Sequence, residues 1–159
     1  MTMYGPLGSL DKTADGNVIT FNRTLPAPPE KVWEALTTSD GVMAWLAPIA
    51  SIDARSGGAV EIEFDDENTV TGEITQFDPY SRFAHTWIIN GEVPSAVSWE
   101  LVPEGAGTAL TLIHTQLPDE MAGGYTPGWH AFMARLDAML AGQPLPDFMD
   151  VVGSVASSY

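Results

Sequence analysis

Three histidines are the side chains of this sequence best suited to acid–base or metal chemistry, because imidazole titrates near neutral pH. They are His85, His114 and His130. No two of them lie at the HxH, HxxxH or HExxH spacings that bring two imidazoles to one metal ion. The chain has no cysteine, which excludes thiolate zinc ligands and cysteine nucleophiles. The sequence therefore predicts no metal site, no cofactor and no assigned catalytic residue.

Other catalytic patterns are also weak. Glu61, Glu63 and Asp65 alternate with apolar residues, so we expect them on the solvent side of a strand. Gly105-Ala106-Gly107 lacks the third glycine of a dinucleotide-binding loop, and the G-x-S-x-G motif of a nucleophile elbow does not occur. Solvated carboxylates and a hairpin turn are the simpler interpretations.

Aromatic residues give a stronger signal, with five Trp and six Phe among 159 residues. Such residues usually fill a core, but they also line pockets for apolar ligands. His114 has two interpretations as well, a core imidazole bonded to backbone or a polar contact for a ligand. His85 is similar, whereas His130 is predicted on the more exposed side of the last helix. The candidate ligand-binding residues are Trp45, Phe64, His85, Trp99, Leu112, His114, Trp129, Phe132, Met133 and Leu136.

The elements that must position these residues start with a predicted strand over 18–25, where apolar and polar side chains alternate. Residues 26–29, Pro-Ala-Pro-Pro, end this strand and suit the first turn of a helix. Short helices are predicted over 30–36 and, after a Ser39-Asp40 cap, over 41–46.

Residues 48–117 change to a period-two pattern, which is typical of half-buried strands. Turn residues interrupt it at short intervals, which favours an antiparallel meander. A long helix is predicted over 126–141, with Thr126 as its cap, Pro127 in its first turn and Gly142 just past its end. Its apolar stripe would pack on the sheet and give a two-layer α+β domain. The predicted divisions are a leader at 1–16, the domain at 17–142 and a C-terminal extension at 143–159.

The hairpin turns also predict where two histidines point. With a turn at 104–107, Trp99 pairs with Leu112 and Val97 pairs with His114, so His114 faces the helix and any cavity between the helix and the sheet.

The direction of His85 depends on the preceding turn. A three-residue loop starting at Asn90 pairs His85 with Val97 and Phe83 with Trp99, whereas a two-residue loop shifts the register by one and turns His85 away. We favour the three-residue loop because it buries both Phe83 and Trp99. The two imidazoles would then flank Val97 at about 9–10 Å, two strand spacings, a separation suited to one ligand or a water bridge.

Several short motifs together suggest a family. They are Phe21-Asn22-Arg23 before Pro26 to Trp33, Met43-Ala44-Trp45, Gly57-Gly58, Gly72, Pro79 with Arg82, Gly107 to Leu112 with His114, and Gly128-Trp129. Their order resembles the START-like (Bet v 1-like, SRPBCC) superfamily, and within it the family named after the activator of the heat-shock-protein-90 ATPase. The resemblance implies a helix-grip fold: a curved antiparallel sheet around a long C-terminal helix, two short helices after the first strand, and an apolar cavity.

The aromatic residues and the resemblance favour a domain that binds a small hydrophobic molecule between the sheet and helix 126–141. We expect the cavity to open near Met43 and Trp45. A cyclase- or hydratase-like enzyme is the second hypothesis, and it requires pocket histidines with an ionisable partner. A stress- or chaperone-linked interaction domain is the third, and it predicts an exposed apolar patch.

The net charge of −15 limits the partners. Six dispersed Lys and Arg residues cannot form the basic surface that nucleic acid or anionic lipid requires. The same charge favours a neutral or cationic ligand over an anion. No signal peptide and no membrane-spanning segment is evident, so a cytoplasmic protein without membrane insertion is expected. The sequence leaves the oligomeric state open.

Overall fold

One antiparallel sheet of eight strands is the main element of the fold, seen in a computed structural model that describes residues 4–159. The strands are β1 (Ser9–Thr13), β2 (Gly16–Leu25), β3 (Ile49–Ile52), β4 (Ala59–Glu63), β5 (Thr69–Asp78), β6 (Arg82–Ile89), β7 (Pro94–Glu104) and β8 (Gly107–Leu117). Their order across the sheet is β1-β2-β8-β7-β6-β5-β4-β3. Strands β3 to β8 thus form the predicted meander, and β2 pairs with β8.

Four α-helices accompany the sheet in the described part of the chain: α1 (Pro29–Thr37), α2 (Ser39–Met43), α3 (Asp119–Leu140) and α4 (Phe148–Val155). α1 and α2 lie between β2 and β3, and α3 follows β8. Apolar residues of α3 join the sheet's buried face in one core, while α4 packs on α3 in a smaller cluster. The helix-grip α+β fold is confirmed. None of these helices is long and apolar enough to cross a membrane.

The start of α3 differs from the prediction. The helix begins at Asp119 instead of Thr126, and Pro127 lies inside it. Thr126 is no cap, because its hydroxyl donates to the Ala122 carbonyl at 2.8 Å, one turn back. Burial of Ala122 and Thr126 against the core outweighs the low helix propensity of the Gly123-Gly124 pair.

Two smaller differences concern the first half of the chain. α2 begins at Ser39 and is capped by Thr38, whose Oγ1 accepts from the Gly41 N–H at 2.9 Å. Residues 9–13, within the predicted leader, form the edge strand β1 on β2.

The predicted register of the histidine-bearing strands is confirmed. Val97 pairs with His114 on one side and His85 on the other, and Trp99 pairs with both Leu112 and Phe83. All six side chains are buried.

The turn that sets this register combines both predicted alternatives. Asn90 and Gly91 have φ values of 52° and 68°, and the Glu92 N–H donates to the Ile89 carbonyl at 3.0 Å. This is the two-residue geometry with positive φ at both central positions. However, Ile88 pairs with Pro94, so the β7 side holds one extra residue and the register is that of the three-residue loop.

Candidate functional site

A cavity of about 510 Å³ lies between α3, β6, the β4–β5 turn and the start of α4. Hereafter it is the aromatic cavity. Its aromatic lining residues are Phe64, Trp87, Tyr125, Trp129, Phe132 and Phe148. Gly124 and Gly128 of α3 also line it, and the absence of side chains at both positions leaves room beside the helix.

The aromatic rings form a continuous wall. Phe132 lies between Phe64 and Phe148, at ring-centroid distances of 5.6 and 4.8 Å. Trp87 and Trp129 follow, 5.4 Å apart, and Trp129 contacts Phe132 at 5.9 Å. Contacts in this distance range are favourable for aromatic pairs. The wall therefore offers ring faces and edges to an apolar ligand.

His114 lies directly behind this wall and has partners for both ring nitrogens. Its Nδ1 accepts from Trp129 Nε1 at 3.0 Å, so the proton resides on Nε2. Nε2 then donates to Ser95 Oγ at 2.8 Å, and the Ser95 hydroxyl donates to the Trp87 carbonyl at 2.9 Å. This chain fixes the tautomer and holds the two tryptophans that line the cavity.

Burial, and then the charge of a protonated His85, lower the pKa of His114 to about 3. His85 donates from Nδ1 to the Thr86 carbonyl at 2.9 Å. Burial lowers its pKa to about 4 against the weaker opposing effect of that hydrogen bond. Both imidazoles are therefore neutral at pH 7, and neither lines the aromatic cavity.

The structure distributes the ten predicted site residues between two layers. Phe64, Trp129 and Phe132 line the aromatic cavity. The other seven are buried behind the wall or elsewhere in the core. Leu46, which follows Trp45, lines the cavity, whereas Met43 and Trp45 do not. The residues in this second layer are Trp45, His85, Trp99, Leu112, His114, Met133 and Leu136.

Three aromatic residues of the lining were missed by the sequence analysis. Trp87 lies two residues after His85 on the same face of β6, so the period-two pattern alone could have identified it. Tyr125 precedes the predicted start of the helix, and Phe148 lies in the predicted extension. The hydroxyl of Tyr125 accepts from Trp87 Nε1 at 3.2 Å, and burial raises the pKa of Tyr125.

Four polar residues stand at the margin of the cavity: Asp65, Asn68, Arg135 and Asp147. Arg135 donates to the Trp45 carbonyl at 3.0 Å and to the Pro146 carbonyl at 2.7 Å. Asp147 accepts from the Asp150 N–H at 3.1 Å and caps α4.

Hydrogen bonds from Asn68 and from the Glu67 N–H lower the pKa of Asp65, so this carboxylate stays ionised. The four marginal side chains thus hold loops in place, and within residues 4–159 no three metal-ligating side chains cluster.

His130 corrects another prediction, because it is fully buried on the side of α3 away from the aromatic cavity. Its Nε2 donates to the Tyr4 carbonyl at 3.2 Å, so its Nδ1 accepts from the Tyr159 hydroxyl at 2.7 Å. Burial, and then the charge of Arg23, lower its pKa to about 4. An edge contact with Phe21 at 5.7 Å completes its surroundings.

Residues 26–141 match the family model described as "Activator of Hsp90 ATPase homolog 1-like protein". The chain belongs to this family. The match runs from the residue after β2 to the end of α3 and therefore includes most of the residues that line the aromatic cavity. None of the curated proteins matches the sequence at a significant level.

Solved structures have the same architecture. CalU16 from Micromonospora echinospora superposes with a TM-score of 0.77 at 24% identity, over 96% of this chain and 92% of that one. A Bordetella parapertussis protein superposes with a TM-score of 0.73 at 28% identity, over 100% of this chain and 93% of that one. The Aha1 dimer from Colwellia psychrerythraea superposes with a TM-score of 0.67 at 24% identity, over 77% of this chain and 95% of that one.

Proposed function

We propose that this protein binds a small apolar or amphipathic molecule, neutral or cationic, in the aromatic cavity. The observation that carries the proposal is a void of about 510 Å³ with six aromatic lining residues. Ligand sites of proteins are concave, mostly apolar and about 300–1,000 Å³ in volume. The void is thus large enough for a molecule of drug-like size.

The polar atoms around the cavity favour a neutral or cationic ligand. Two carboxylates, Asp65 and Asp147, face the margin, while the single guanidinium, that of Arg135, already donates to two carbonyls. A ligand carboxylate would lose its hydration and find little compensation there. The charge of the whole chain repels anions as well.

Histidine acid–base catalysis has less support. A general base must reach the substrate directly or through one water, but the cavity lining contains neither His85 nor His114. Both nitrogens of His114 are engaged with Trp129 and Ser95. In this proposal His114 shapes the wall and does not touch the ligand.

The alternative of a protein-interaction domain would need a continuous apolar patch. The large exposed apolar side chains belong to different elements, for example Ile49 of β3, Val102 of β7 and Met149 of α4. This scatter gives the interaction hypothesis less support than the aromatic cavity gives to binding.

Tryptophan fluorescence tests the proposal, because Trp87 and Trp129 form part of the wall. Octanol, octylamine and octanoate are titrated in turn at constant ionic strength. We expect a saturable change for the alcohol and the amine, and at least about fivefold weaker binding of the acid. No saturable change with any of the three would contradict the proposal, and tighter binding of octanoate would contradict the predicted charge preference.

A matched pair of variants locates the binding. Gly124 lines the cavity and Gly123 does not, and a Cβ at either position would meet no atom within 4 Å. Gly124→Leu should fill the cavity and weaken octanol binding at least about tenfold, the loss of roughly 1.4 kcal/mol. Gly123→Leu carries the same helix-propensity change and should bind as the original protein does. Equal binding by both variants would place the ligand elsewhere.

A further inference from the structure

A second cavity, of about 480 Å³, lies on the opposite side of α3 and contains a buried arginine. Arg23 of β2 is 9% exposed and lines this cavity together with Gly5, Pro6, Glu104 and Asp137. We call it the Arg23 cavity. Asp137 follows Arg135 of the aromatic cavity by two residues, which is about 200° around a helix, so the two cavities are separate.

The hydrogen bonding of Arg23 is incomplete. Its Nη1 donates to the Tyr4 carbonyl at 2.8 Å. Its Nε and Nη2 are buried and have no hydrogen-bond partner among residues 4–159. A buried donor without a partner is costly, most of all on a charged group, and native proteins rarely leave one without a water or ligand.

The two unpartnered atoms have a specific geometry. In a guanidinium group, the Nε–H and one Nη–H point in parallel along the same edge, and that edge matches the two oxygens of a carboxylate. The edge of Arg23 that carries Nε and Nη2 is the one left without partners. The Tyr4 carbonyl occupies a donor on the other side and need not be displaced.

We propose that the Arg23 cavity binds a small carboxylate, whose two oxygens accept from Nε and Nη2 of Arg23. Gly5 and Pro6 form part of the rim, and a Cβ at Gly5 would collide with the guanidinium. Because Nε and Nη2 are covered against bulk water, the proposal requires neighbouring residues to shift before a carboxylate reaches them. The proposal is independent of the function proposed for the aromatic cavity.

Two acidic residues that line the Arg23 cavity disfavour the binding of an anion there by charge repulsion. Asp137 is exposed and attracts Arg23 electrostatically, but it forms no ion pair with Arg23 among the described contacts. Glu104 is a further negative charge on the rim. The ligand therefore competes with Asp137 for one guanidinium, and removal of the Asp137 charge should strengthen binding.

The test uses sodium acetate, with sodium chloride at the same ionic strength as the reference. The reporter is the Nε–H resonance of Arg23 in an NMR spectrum of the 15N-labelled protein, assigned by its loss in Arg23→Lys. We expect a saturable acetate-dependent shift, and in Asp137→Asn a half-saturating acetate concentration lower by about fivefold. Arg55→Lys, a substitution in an exposed ion pair with Asp53, should leave the Arg23 response unchanged.

Thermal unfolding provides a second measurement. Acetate should raise the midpoint of the original protein and of Arg55→Lys, but not that of Arg23→Lys, because lysine keeps the charge and lacks the paired donors. A response of the Arg23 resonance to acetate no larger than to chloride, in both the original protein and Asp137→Asn, would overturn the proposal. So would a large shift of that resonance in Asp137→Asn without acetate, since it would show that Asp137 already occupies the edge.

Discussion

The aromatic cavity and the Arg23 cavity lie on opposite sides of α3 and differ in how their buried polar atoms are partnered. Behind the aromatic wall, His114, Ser95 and the Trp129 indole satisfy one another. Beside the Arg23 cavity, His130 and Tyr159 are paired, whereas two donors of Arg23 are not.

Under the two proposals, this difference implies two kinds of ligand selection. A wall whose polar atoms are all engaged selects by apolar area and shape. A buried charge with free donors selects by the geometry of the acceptor. The same helix would therefore separate a proposed site of low directional specificity from a proposed site of high directional specificity.

The largest expected effect on stability comes from removing a side chain of the aromatic wall. Trp129→Ala should destabilise the protein by about 3–5 kcal/mol, because it deletes a fully buried indole and leaves His114 Nδ1 without its donor. Urea unfolding measures the change. Trp129→Phe retains most of the apolar contact and should cost less. A loss below about 1 kcal/mol for Trp129→Ala would show that the wall contributes little to the core.

The next effect, taken for each histidine separately, is a dependence of stability on pH. The folded-state pKa values are about 4, 3 and 4 for His85, His114 and His130, below the unfolded value near 6.5. The unfolded chain therefore binds more protons below pH 6.5, and stability falls as pH decreases toward 4. Each histidine contributes roughly 1.4 kcal/mol per pH unit within this window. Urea midpoints between pH 7.5 and 4.5 test this.

Single variants separate the contribution of His114, behind the aromatic wall, from that of His130, near Arg23, to the pH dependence of stability. His114→Gln should remove about one proton from the pH dependence of the unfolding free energy. Arg23→Gln should raise the pKa of His130, because the charge of Arg23 lowers it, and should leave that of His114 unchanged. A pH-independent midpoint from 6.5 to 4.5 would contradict the neutral, buried state of the three imidazoles.

The smallest effect concerns the first turns of α3. Gly123 is helical, and a Cβ there meets no atom within 4 Å. Gly123→Ala should therefore stabilise the protein by about 0.5–1 kcal/mol, through a better helix propensity and a less flexible unfolded chain. Thermal unfolding measures the gain. Destabilisation would instead show that the Gly-Gly segment needs flexibility that alanine removes.

Much of the sheet could be predicted from the sequence because its causes are local. Alternation on β6, β7 and β8 specified which residues face the helix, and the pairing of Val97 with His114 followed from one turn. The start of α3 could not be predicted in the same way. Gly123-Gly124 and Pro127 are locally unfavourable for a helix, and only contact with the core stabilises one there.

The candidate sites also combine features that the sequence predicts with features that only tertiary packing sets. Residue types and period determined that Trp129, Phe132 and Phe64 belong to an apolar interior, and the net charge is the basis of the predicted preference for neutral or cationic ligands. Tertiary structure decided which of the buried residues border a void, because that depends on how α3, the β4–β5 turn and Phe148 meet. It also decided the surroundings of Arg23, because Tyr4, which accepts its hydrogen bond, and Asp137, which attracts it electrostatically, are distant in sequence. A linear pattern records which side chains prefer burial, but their partners are set only when separate elements pack.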